Sequence, residues 1–139
     1  MRLIFLCVSL ILWHSFLQDP QKAVEEKPVA AAAAPTADAG KLVNPTKPTP
    51  ASLAAGKKSY GTDCAMCHGK TGAGDGDLAG DMKLQLRDYR NPDSLKSMSD
   101  GEIFTIIDKG KGQMSGEEGR MSSAQIWNVV NYVRALSKK

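Results

Sequence analysis

Hydrophobic and polar positions alternate differently in each part of this chain, and each pattern predicts a different element. Residues 3–17, LIFLCVSLILWHSFL, are apolar almost without interruption after Met1 and Arg2. A short basic start followed by such a run is the pattern of an export signal. At about 1.5 Å per residue the run reaches roughly 22 Å, short of the ~30 Å hydrocarbon core of a bilayer. No small-x-small cleavage site follows closely, because Gln18, Asp19 and Pro20 come next. Residues 1–17 therefore read as a signal peptide or an uncleaved N-terminal membrane anchor, and Cys7 inside them as an apolar residue.

Three later stretches carry helical periods. Ile126, Val129, Val130, Val133 and Leu136 recur every three or four positions after a Ser122/Gln125 capping box, which predicts a helix to about Ser137. Ile103, Phe104, Ile106 and Ile107 follow a Ser99/Glu102 box in the same way until Gly110 offers a stop, predicting a shorter helix. Ser52 to about Gly61 shows a mixed face with Gly56 and Tyr60 one turn apart and predicts another. Between Gly69 and Ser99, the glycines at 72, 74, 76 and 80 break every period. That stretch reads as loop, with at most a helical turn near Ser94 to Ser97. No strong strand alternation appears, so the fold class is all-α.

Composition divides the same chain. From Gln18 to Pro50 it shifts to Ala, Pro, Lys, Glu and Thr, with too few large apolar groups to offset ordering entropy, so 18–50 reads as a disordered Ala/Pro-rich linker. Residues 51–139 then form the globular domain. It carries 13 Lys plus Arg against 11 Asp plus Glu, a balance of +2 that gives no footprint for nucleic acid.

The chemistry lies at Cys64-Ala65-Met66-Cys67-His68, two thiols one helical turn apart with an imidazole immediately behind. This order is the pattern of covalent haem c attachment, each Cys forming a thioether and His68 binding the iron. A structural zinc site needs four N or S ligands, yet the remaining Cys and His, Cys7 and His14, lie in the apolar N-terminal run. A dithiol redox motif belongs beside a βαβ pattern, which is missing here. Asp75-Gly76-Asp77-Leu78-Ala79-Gly80 starts like a calcium loop, but Ala79 and Leu86 stand where ligands are required.

The second axial ligand decides between carrier and catalyst. Outside the N-terminal run no spare His exists, which leaves methionines. Met66 sits within the attachment loop on the His side. Met114 lies in the glycine-rich stretch Gly110-Lys111-Gly112-Gln113-Met114-Ser115-Gly116, read as an irregular loop that lets backbone approach a porphyrin, and is the first choice. Met121, which also fits as a hydrophobic staple onto Ile126, remains a competitor, with Met82, Met98 and an open position behind it.

Over residues 52–139 this layout resembles the class I c-type cytochromes, especially small bacterial ones with a single haem. The resemblance rests on Gly56-Lys57-Lys58-Ser59-Tyr60, then Cys64 to Gly69, then Ser99-Asp100-Gly101-Glu102-Ile103-Phe104, then Gly110 to Met114, then Ile126 to Leu136. It implies a cytochrome c fold of three to four helices around one covalently attached haem. It further implies thioethers at Cys64 and Cys67, His68 as proximal and Met114 as distal ligand, and a crossing of first and last helices at Gly56 beside Tyr60, Val129 and Tyr132. Ser115 departs from the family, where Pro often follows the ligand Met. Arg87, Tyr89, Arg90 and Trp127 are propionate candidates and equally surface or packing residues.

The expected function is one-electron transport in a respiratory or related chain, without substrate chemistry of its own, the chain being either free or a tethered subunit of a membrane complex. A haem enzyme or gas sensor with a displaceable sixth ligand is the alternative. Expected partners are redox proteins or respiratory complex subunits, with no nucleic acid and no small-molecule substrate. The expected location is the periplasm or the outer face of the cytoplasmic membrane, with membrane association through residues 1–17.

Overall fold

The computed structural model describes residues 38–138. The export or anchor segment and the linker as far as residue 37 lie outside the described residues. Among the described residues five α-helices follow one another: α1 (Pro50–Asp63), α2 (Ala65–His68), α3 (Asp77–Asp81), α4 (Asp100–Lys109) and α5 (Ser123–Leu136). A two-stranded hairpin, β1 (Gly110–Lys111) with β2 (Met114–Ser115), lies between α4 and α5.

The helix ends obey local chemistry. Thr49 caps α1 by accepting from the Ser52 N–H, with Pro50 at the first helical position where no N–H is needed. Both capping boxes form. Ser99 accepts from the Glu102 N–H at 3.1 Å while the Glu102 carboxylate takes the Ser99 N–H at 2.6 Å. Ser122 and Gln125 pair in the same way at the start of α5.

The core is built on α5. Ile126, Val129, Val130, Val133 and Leu136 are buried with Trp127 and Tyr132, against Tyr60 of α1 and Ile103 and Ile107 of α4. Phe104 stacks on Trp127 at a centroid distance of 4.3 Å, so Trp127 is a packing residue. The face that α1 turns inward is Ser52, Gly56 and Tyr60, one residue per turn. A Cβ on Gly56 would stand 2.0 Å from the Asn128 carbonyl oxygen. Only glycine lets α1 and α5 cross this closely, as the family resemblance implies.

Three local expectations are revised. The loop after Gly69 contains the short helix α3, and residues 92–97 form turns in place of a helical turn. The stretch around Met114 is a tight hairpin, Gly110 facing Ser115 and Lys111 facing Met114, with Gly112 at φ 60° in its turn. Residues 38–49, expected to be disordered from composition, are packed onto the domain. Ala39 is buried in a 3-10 turn, Asn44 donates to Asn131 at 2.9 Å, and Asn131 donates to the Thr46 carbonyl at 2.9 Å. Few apolar groups are needed here because hydrogen bonds hold the segment.

Candidate functional site

Cys64 ends α1 as its C-cap and starts α2, so the attachment motif is a single helical turn. The N–H groups of Cys67 and His68 both donate to the Cys64 carbonyl, at 3.2 and 2.9 Å. This places both sulfurs and the imidazole on one turn, as the spacing predicts.

The glycine loop read as a connector does more than connect. Gly76 donates to the Cys67 carbonyl at 3.1 Å and Gly74 to the His68 carbonyl at 2.9 Å. A Cβ on Gly76 would meet the Met66 oxygen at 2.2 Å, so this backbone lies directly against the motif. Beneath it, the Tyr60 hydroxyl donates to the Gly69 carbonyl at 2.9 Å. Burial raises the Tyr60 pKa well above the usual phenol range, which keeps that donor protonated.

The His68 ring stacks on Tyr89 at a centroid distance of 5.2 Å, with the planes inclined by 24°. Tyr89, one of the propionate candidates, is therefore the side chain that orients His68. No spacing rule links two residues so far apart in sequence. The imidazole retains a buried nitrogen, Nδ1, with no hydrogen-bond partner among the described residues. Burial pushes its pKa down, so the ring is neutral, as a metal ligand must be. The other candidates are engaged elsewhere: Arg90 forks onto Asp88 at 2.9 and 2.8 Å, and Arg87 donates to the Ser94 carbonyl.

Cys64 and Cys67 are each half-buried. Burial first, then the negative charges of Asp63, Glu117 and Cys67, push the Cys64 thiol up to about 12.

Tyr89, Met98, Phe104 and Met114 pack on the core from four different segments and stay half-buried, as Cys64 does. Half-buried apolar side chains of this kind are what a flat apolar macrocycle can pack on. The donor set, two thiols, one imidazole and a thioether, also suits such a group. Met114 is brought to the core by the hairpin, whose return stretch is pinned where the Glu117 and Glu118 N–H groups take the free carbonyls of Ile107 and Asp108 at the end of α4, each at 2.9 Å. Met98 and Met121 touch the core too, whereas Met82 and Met66 are exposed.

The cytochrome c family model matches residues 53–137, which takes in the motif, the hairpin and all but the first turn of the helical scaffold. This chain belongs to the cytochrome c family. Cytochrome c6 of Leptolyngbya boryana is 32% identical over 89 residues, covering 64% of this chain and 98% of that protein. Among solved structures, a chain of the Kuenenia stuttgartiensis reducing HAO-like protein complex Kustc0457/Kustc0458 is 26% identical with a TM-score of 0.57, over 73% of this cytochrome. This cytochrome spans about half of that chain, the coverage being 50%. The KustC0563 c-type cytochrome is 26% identical at a TM-score of 0.53, with 58% of this chain and 95% of that one covered. As a family member, the chain carries covalently bound haem c and is a haem electron-transfer protein. Among the described residues no helix is long and apolar enough to cross a membrane.

Proposed function

We propose that this cytochrome carries one electron at a time between redox proteins, with Cys64 and Cys67 as the thioether positions and His68 and Met114 as the two axial ligands. When bound, the haem supplies an iron that alternates between Fe(III) and Fe(II). The protein's part is to keep the ligands still. Tyr89 and the Gly74 and Gly76 contacts hold the His68 turn, while the hairpin and its ties to α4 hold Met114. The observation that supports Met114 over the other methionines is its place, half-buried against the core, on a hairpin tied to the end of α4.

In this reading residues 1–17 direct export, so that haem is attached in the periplasm or at the outer face of the cytoplasmic membrane. Similarity to a chain of the reducing HAO-like protein complex supports work as a complex subunit, and similarity to cytochrome c6 supports work as a carrier.

The test is the far-red spectrum of the oxidised protein, where sulfur-to-iron charge transfer reports a methionine ligand. The band is expected in the wild type and in Met121→Ala, and is lost in Met114→Ala, whose reduced form should bind carbon monoxide rapidly. Rapid carbon monoxide binding by the wild type overturns the carrier reading in favour of a haem enzyme or gas sensor. A band that survives Met114→Ala overturns the ligand assignment.

A further inference from the structure

Asp63 stands at the last position of α1, where a negative charge opposes the helix dipole, and α1 has no basic residue in its last turn to compensate. Its compensation comes from another part of the chain. Arg120 Nη2 lies 3.5 Å from Asp63 Oδ1, a contact that spans 57 residues. The same nitrogen lies 3.1 Å from Glu117 Oε2, close enough to pair though not aligned as a hydrogen bond. One guanidinium thus joins two carboxylates that lie far apart in sequence.

The two ends differ in what they hold. Asp63 directly precedes Cys64, where the haem is attached to the polypeptide. Glu117 lies three residues beyond Met114, its N–H bonded to Ile107, and only 7% of it is exposed. The other ion pair of this loop, Lys109 with Glu118, ties it only to α4, from which it has just emerged.

We infer that Arg120 is a positioning residue: by bridging Asp63 and Glu117 it latches the Met114 hairpin onto the attachment end of α1 and keeps the distal position closed. The inference rests on the proposed Met114 ligation. Surface ion pairs contribute little as a rule, but this one differs in kind. Arg120 is largely exposed, whereas Glu117 is buried, so loss of the guanidinium leaves a buried charge without its cation. The hairpin then gains by moving Glu117 outward to water, and Met114 moves with it.

The experiment compares haem-loaded wild type, Arg120→Ala, Arg120→Lys and Asp63→Asn by two signals during heating, the far-red methionine band and far-ultraviolet helicity. In the wild type the two are expected to disappear together. In Arg120→Ala the band should vanish well before helicity, reduced protein should bind carbon monoxide at least tenfold faster, and Arg120→Lys should restore part of both. Asp63→Asn, at the less buried end, should show the same separation in milder form and covers the case in which Arg120→Ala does not fold. A band present in the wild type that disappears with helicity in every variant overturns the latch alone. Absence of the band from the wild type overturns Met114 ligation and the latch with it.

Discussion

Replacing Gly56 by alanine tests the packing on which the whole scaffold depends. The added Cβ would lie 2.0 Å from the Asn128 carbonyl oxygen, 2.6 Å from its carbon and 2.9 Å from the Tyr132 Cβ. Two of those atoms are backbone, which has no rotamer to yield. Restoring ordinary contact at about 3.5 Å means parting α1 and α5 by roughly 1.5 Å. Overpacking of this kind costs about 1–3 kcal/mol. The movement also stretches the 2.8 Å bond from the Ser52 hydroxyl to the Asn128 side chain, another ~1 kcal/mol. Against this, alanine gains about 1 kcal/mol in helix propensity over glycine. The net loss is about 1–3 kcal/mol, and at ~4–8 °C per kcal/mol the midpoint should fall by roughly 4–24 °C.

Gly61 supplies the control, because it lies in the same helix and a Cβ there meets nothing within 4 Å. Gly61→Ala should raise the midpoint by several degrees, since only the propensity gain of about 1 kcal/mol remains. Thermal scans of the haem-loaded proteins by circular dichroism read both. Opposite signs are expected. A Gly56→Ala protein that melts with the wild type, or a Gly61→Ala protein that falls equally far, would refute the close-crossing argument.

Two further expectations follow from the buried polar groups. Asn131 donates to Thr46 at 2.9 Å and to the Ser52 hydroxyl at 3.0 Å, and accepts from Asn44 at 2.9 Å. Asn131→Ala should therefore lower stability by about 2–3 kcal/mol, and limited proteolysis should find new cuts between residues 38 and 49; an unchanged digestion pattern would contradict the hydrogen-bonded strap. Tyr60→Phe should lose about 1 kcal/mol at neutral pH through its bond to Gly69. Burial holds the Tyr60 phenol above its ordinary 10.0, so the folded state disfavours ionisation and its contribution, complete below pH 10, is lost as pH rises beyond that value. Urea unfolding at pH 8 and pH 11 should show the gap between wild type and Tyr60→Phe narrowing, and a gap that widens would reverse the sign of this argument.

Much of the site was legible along the chain because it is local. Cys64, Cys67 and His68 occupy one helical turn, and the two capping boxes each close over three residues, so order and spacing alone carry them. Hydrophobic periodicity also found α4 and α5, whose buried faces are apolar. It was nearly silent on α1, whose inward face is Ser52, Gly56 and Tyr60, and there the helix was placed by pattern while its crossing came from family resemblance.

What the tertiary structure decided is where distant polar and aromatic groups meet. Composition counts apolar groups, so it read residues 38–49 as a tether and could not register that Asn44 and Asn131 hold them. Tyr89 against His68, and Arg120 between Asp63 and Glu117, are likewise contacts with no period and no motif. Burial of apolar surface is non-directional and leaves a repeating trace in sequence. Hydrogen bonds, ion pairs and ring contacts are directional and pairwise, so their partners are set only once the helices have packed.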